Sequence, residues 1–187
     1  MKFITTILCT LILIGASSSE VPDRKQTKLG LYITAKEAYE KWQANPNIKV
    51  LDVRTPGEYV FVGHAEMAYN IPLKFLAGVS EGELPLMRDN EHFLSEAQQL
   101  FSTTDTLLVM CRSGGRGAQA VNTLADAGYT RAFNIIDGFE GEALDMPDSY
   151  NDGKRILNGW KNSGASWTYD LNYDLVYSYP EAKKEEK

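Results

Sequence analysis

The segment VMCRSGGRG, residues 109–117, gathers one thiol, two guanidinium groups, a hydroxyl and three glycines between two apolar stretches. Cys111 offers sulfur, whose thiolate is the form that attacks. Gly114, Gly115 and Gly117 lack a Cβ, so the backbone can curl and aim several N–H groups inward. Arg112 and Arg116, on either side of Ser113 and the first two glycines, add positive charge. Such a loop is an anion cradle with a sulfur nucleophile at its floor. The chemistry it suits is covalent attack by Cys111, with backbone amides holding the negative charge that results. A lone cysteine after a strand is more often a small buried hydrophobe. The two arginines and three glycines around this one argue for the nucleophile.

A second group of polar residues lies upstream in LDVRTPGEYVFVGH, residues 51–64. Asp52, Arg54 and Glu58 carry supporting roles at best. In the functional reading, Asp52 and Arg54 help to hold the Cys111 loop. The simpler reading is a surface ion pair, Arg54–Glu58 or Arg54–Asp52, worth little. His64 reads as a hydrogen-bonded structural histidine, since a loop-activated thiolate needs no base. His92 reads as exposed on a helix. Two isolated histidines make no metal site, and no cofactor is implied.

The elements around these residues explain their placement. TLLVM, residues 106–110, is a continuous apolar run, as in a fully buried strand of a parallel sheet. GAQAVNTLADAG then reads as a helix with Ala118, Val121, Leu124 and Ala125 on one side and Gly128 as its stop. Cys111 therefore sits in a strand-to-helix turn. Ligands of open α/β sheets bind beyond the carboxyl ends of strands, and a helix N-terminus presents unpaired N–H groups and a positive partial charge. YITAKEAYEKWQAN is a helix opened by a Thr34/Glu37 capping box and closed by Asn45-Pro46. IKVLDV, AYNIPL and AFNII are strand candidates. PGEYVFVGH reads as a turn with at most one helical turn, residues 74–89 as a long loop, and NEHFLSEAQQLF as a helix. Strand and helix signals alternate, which gives an α/β class with a mostly parallel sheet and helices on both faces.

The chain has 187 residues, enough for one domain with a sizeable core, and 43% hydrophobic and 24% charged residues, as in ordinary globular proteins. Its formal charge of −6 argues against nucleic-acid binding and against anionic lipid surfaces. Residues 1–18 read as a secretory signal peptide: Lys2, an apolar run from Phe3 to Ile14, then small residues, with cleavage expected before Ser19. That run is short of the roughly 20 residues of a membrane span, so no membrane contact is expected after cleavage. Losing Lys2, the one charged side chain of residues 1–18, moves the formal charge from −6 to −7. It also leaves Cys111 as the only cysteine, since Cys9 departs with the leader. In an oxidising compartment a lone thiol is a liability unless it has a task. The expected location is exported, periplasmic or cell envelope.

CRSGGRG resembles the active-site loop of rhodanese-like domains. LDVRTPGEYVFVGHAEMAYNIPL resembles that family's other signature: an Asp-Val-Arg strand end, a Glu-aromatic pair, Gly-His, then Asn-Ile-Pro. FNIIDGFEG and GWKNSG resemble its closing glycine-rich turn and last helix. Ala65 and Met67 depart from the usual Ile and Gly, and Gly117 replaces a common small hydroxyl residue. The resemblance covers residues 30–168, with 19–29 as a flexible N-terminal segment and 169–187 as a tail; the aromatic C-terminal segment WTYDLNYDLVYSY, residues 167–179, is expected to pack on the core, and the end, PEAKKEEK, to be solvated. EALDMPDSYNDGKRILN, about 142–158, reads as a surface insertion; its acids miss the calcium-loop pattern because Tyr150 stands where an acid or amide belongs.

The resemblance implies a sulfurtransferase. Cys111 would take the outer sulfur of an anionic donor such as thiosulfate, and a thiol, sulfite or cyanide would accept it. Arg112, Ser113, Gly114, Gly115, Arg116 and Gly117 would bind the donor and the persulfide. The alternatives are a non-catalytic persulfide carrier, or a thiol-based binding or redox module for an exported partner protein. A cysteine phosphatase fits poorly: Met110 stands in the place of its histidine, and Arg116 falls one residue short of the phosphate-clamping position.

Overall fold

The computed structural model describes residues 21–79 and 85–179; the signal peptide expected at 1–18 and the charged end of the tail, 180–187, lie outside them. Five parallel strands form the central sheet: β1 (Tyr32–Ile33), β2 (Lys49–Asp52), β4 (Ala68–Asn70), β7 (Leu107–Met110) and β8 (Ala132–Ile135), in the order β1-β8-β7-β2-β4. All four residues of β7 are buried. Leu107 and Val109 face one cluster, with Val121 and Leu124 of helix α4 (Gly115–Asp126) and Phe93 and Ala97 of α3 (Phe93–Leu100). Leu108 and Met110 face the other, with Ala35 and Ala38 of α1 (Ala35–Ala44) and Tyr59 of α2 (Pro56–Val62). Side chains of a strand alternate between faces, so a strand covered by helices on both faces reads as an unbroken apolar run. The α/β fold expected from the sequence is present.

Helix α1 opens on the expected capping box of Thr34 and Glu37. Helix α2 is longer than the single turn expected. Thr55 and Glu58 form a second capping box, and Pro56 occupies the first turn, where a missing N–H costs nothing. Residues 74–89 differ more: instead of a long loop, β5 (Lys74–Gly78) pairs antiparallel with β6 (Leu86–Asp89). The hairpin buries neither face well, so its sequence carries no inward apolar stripe for periodicity to reveal.

Two-residue strands β3 (His64–Ala65) and β9 (Trp167–Thr168), also unmarked in the sequence, pair antiparallel and carry the chain back toward α2. GWKNSG forms a 3-10 turn, Trp160–Asn162, rather than a last α-helix. Beyond it, Leu171 and Val176 pack against the second cluster, and Leu175 O accepts the Asn70 N–H at 2.8 Å, as expected for a tail packed on the core. The insertion closes on itself: Leu144 and Lys154 share a backbone hydrogen bond of 2.9 Å, and Asp152 accepts the Met146 N–H at 2.8 Å. Residues 21–29 are not loose chain. Asp23–Lys25 form a 3-10 turn, and Lys25 is buried. Among the described residues, no helix is long and apolar enough to cross a membrane.

Candidate active site

The register of the sheet sets the site. Asp52, the last residue of β2, pairs with Met110, the last of β7, and Val53 N–H donates to Met110 O at 2.8 Å. The segments after β2, β7 and β8 therefore meet at one edge, where the carboxyl ends of parallel strands place ligands.

Cys111 is 2% exposed and is a free thiol. Its Sγ accepts the Gly114 N–H at 3.2 Å. Gly114 is the N-cap of α4, in the left-handed region at φ 97°. A Cβ there would strike Ile136 O, so both the conformation and the space require glycine. The amides of Gly115, Arg116 and Gly117 belong to the first turn of α4, where N–H groups have no partner within the helix. One amide is thus set on the sulfur and the helix N-terminus lies beside it, an arrangement suited to an anion on Cys111. Ser113 is buried. Gly117 is buried as well, and a Cβ there would come within 2.5 Å of Asn134 Oδ1.

The two arginines have different situations. Arg112 is exposed and makes no ion pair among the described residues. Arg116 is half-buried, and its two terminal nitrogens donate to both oxygens of Glu58, at 2.7 and 2.6 Å. Burial alone would raise the Glu58 carboxyl, but the Arg116 guanidinium and the Thr55 amide and hydroxyl bring it down to about 2. Burial likewise works against the charge on Arg116, and Glu58 outweighs it, holding the guanidinium above its ordinary value. Arg116 is therefore a committed partner of Glu58, whereas the sequence offered it as a free collector of donor oxygens.

Of the two ion pairs considered for Arg54, the one with Asp52 forms and the one with Glu58 does not. It is not a surface pair: both side chains have 0% exposure. Asp52 accepts from Arg54 Nη2 at 2.6 Å, Gly63 O accepts from the same nitrogen at 2.8 Å, and the guanidinium lies 4.0 Å from the Phe139 ring centre. The pair braces the loop indirectly, because Phe139 N–H donates to Cys111 O at 2.7 Å. His64 is structural: its Nδ1 lies 3.0 Å from Tyr59 O, and its ring stacks on that of Tyr59 at 3.8 Å.

Four residues of the site were not singled out by the sequence. Gly138, at φ 61°, lies so close to Cys111 O and Arg112 that a Cβ has no room. Asn134 Nδ2 donates to Gly114 O at 3.2 Å and to Lys25 O at 3.1 Å. Asp137 accepts the N–H groups of Ala35 at 2.7 Å and Gly159 at 3.0 Å, clipping the post-β8 turn to α1. Burial raises its carboxyl despite these bonds. Lys25 Nζ donates to Ile136 O at 2.7 Å. The IIDGFEG motif marked the neighbourhood of Gly138 and Asp137, but only the fold shows that it wraps the back of the Cys111 loop.

Comparison with known proteins agrees with this geometry. The family model described as Rhodanese-like domain matches residues 34–143. The Rickettsia prowazekii protein RP600 is 31% identical over 138 residues, spanning 73% of this chain and 96% of its own. Thiosulfate sulfurtransferase 16, chloroplastic, of Arabidopsis thaliana is 36% identical over 95 residues, 51% of this chain and 73% of that protein. Among solved structures, Rv0390 from M. tuberculosis superposes with a TM-score of 0.58 at 28% identity, covering 74% of this chain and 96% of that one.

Proposed function

Since this chain belongs to the rhodanese-like domain family, we propose that it is a sulfurtransferase working through a persulfide on Cys111, with thiosulfate as a competent donor. The observation that carries the proposal is the Gly114 amide set on Cys111 Sγ at the N-terminus of α4. The Cys111 thiolate attacks the outer sulfur of thiosulfate. A new S–S bond forms, the donor's S–S bond breaks, and its electron pair leaves with sulfite. The terminal sulfur of the Cys111 persulfide then carries the negative charge, within reach of the loop amides. Exposed Arg112 is the free cation beside the loop that draws in the donor's oxygens. An acceptor such as cyanide attacks the terminal sulfur and leaves as thiocyanate, returning the Cys111 thiolate; a thiol or sulfite does the same.

The relative named thiosulfate sulfurtransferase in Arabidopsis thaliana supports thiosulfate as the donor to try first. From the leader read in residues 1–18 we infer that this activity lies outside the cytoplasm, in the periplasm or cell envelope. There the acceptor is a small thiol or anion, or a protein exported alongside. The test is transfer of sulfur from thiosulfate to cyanide by the purified mature protein, beside a general phosphatase substrate. Thiocyanate without phosphate release is the expected result, and phosphate release without thiocyanate overturns the proposal.

A further inference from the structure

The segment Val21–Lys28 lies along α4 and against its N-cap. Lys28 N–H donates to Asn122 Oδ1 at 2.7 Å, and its Nζ pairs with Asp126 at 2.6 Å, which ties the segment to the helix flank. Closer to the site, Lys25 is 5% exposed although it carries a charge. Its Nζ donates to Ile136 O at 2.7 Å and pairs with Glu142, the first residue of the insertion. Asn134 Nδ2 joins Lys25 O to Gly114 O. The Lys25 Cδ lies 3.0 Å from the place a Gly114 Cβ would take, so its stem fills the space behind that residue. A buried lysine needs a partner to keep its charge, and here the partner comes from the chain that follows the turn wrapped behind Cys111.

We propose that Lys25 is a positioning residue for sulfur transfer, which rests on the reading of Cys111 as the persulfide carrier. Lys25 does not touch the sulfur. It fixes Ile136 O and the back of Gly114, and Gly114 must hold φ 97° for its N–H to meet Cys111 Sγ. The Val21–Lys28 strap and Glu142 thus clamp the N-cap of α4 from behind, and the catalytic loop depends on residues about 90 positions earlier in the chain.

The test compares Lys25→Met, which keeps the stem and loses the charge, with Lys25→Arg. In single-turnover loading from thiosulfate, below the melting point of every variant, Lys25→Met should lower the maximal rate about tenfold with KM changed less than twofold, because Arg112 is untouched. Lys25→Arg should recover much of that rate. Hydrogen exchange at Gly114, which needs no substrate, should be about tenfold faster in Lys25→Met than in the parent, relative to amides in the middle of α4. A Lys25→Met variant with a lower melting temperature but the parental loading rate and Gly114 exchange contradicts the proposal. If the parent takes up no sulfur, the persulfide reading fails by itself, and Gly114 exchange still decides whether Lys25 holds the loop.

Discussion

Arg116, in the first turn of the helix that follows Cys111, is bonded through both terminal nitrogens to the two oxygens of Glu58, in the first turn of α2. Glu58 also completes the capping box of its own helix with Thr55. One carboxylate therefore fixes the start of α2 and the start of α4 relative to each other. Planar, bidentate pairing gives this contact directional precision that a lysine would lack.

Removing either partner should have the same consequence. Glu58→Ala and Arg116→Ala should each cost about 2 kcal/mol of stability, since each strands a partly buried charge. Each should slow sulfur loading by about tenfold through loss of loop position. The double variant should load sulfur no more slowly than either single one, because the two residues act there as a unit, while its stability should follow Glu58→Ala, which also loses the α2 capping box. Arg116→Lys should recover part of the loss. A slow Arg116→Ala beside a normal Glu58→Ala would mean instead that Arg116 contacts the donor directly.

The pair should also leave a mark on acid stability. The Glu58 carboxyl stands at about 2 in the folded chain against an ordinary 4.5. A depressed carboxylate stabilises the fold fully above its unfolded value and loses that contribution as pH falls through the folded one. The melting-temperature gap between the parent and Glu58→Gln should be constant above about pH 5 and shrink steadily from 4.5 toward 2. A gap that widens on acidification would show that the pair is not what separates the two proteins.

Gly138 lies outside CRSGGRG yet should behave as part of it. Gly138→Ala forces a side chain into the left-handed region at φ 61° and against Cys111 O and Arg112. It should cost about 2 kcal/mol or more and slow sulfur transfer. Gly153→Ala is the control: φ is 71°, but nothing lies within 4 Å of the added methyl. It should cost about 1 kcal/mol and leave transfer normal. Equal activity in both variants, measured well below their melting points, would detach Gly138 from the site.

Export has its own test. N-terminal sequencing of the protein from a cell-envelope fraction should find a start near Ser19. An intact Met1 in a soluble cytoplasmic fraction would remove the leader from the account.

The sequence revealed what depends on local pattern. The apolar runs of β2, β7 and β8 and the glycines after Met110 located Cys111 in a strand-to-helix turn. The Thr34/Glu37 box marked the start of α1. The Glu58–Arg116 pair was not legible, because it joins residues 58 positions apart. It exists only once Asp52 and Met110 are in register and the two helix starts are side by side. Arg54 misled in another way: a charged residue after a strand reads as surface, yet its pairing with Asp52 lets it lie fully buried under Phe139. The β5–β6 hairpin left no signal because β6 is exposed throughout and no residue of β5 is fully buried.

The most direct measurement is the mass of Cys111 after exposure to thiosulfate. The protein should gain one sulfur atom, about 32 Da, on the peptide that carries Cys111 and on no other, as a covalent intermediate requires. Cyanide should remove that mass and yield an equal amount of thiocyanate. Cys111→Ser should fold, take up no sulfur and lose nearly all turnover, because a hydroxyl is a far weaker nucleophile than a thiolate. An unchanged Cys111 mass with thiosulfate consumed, or turnover retained in Cys111→Ser, would contradict the assignment of Cys111 as the sulfur carrier.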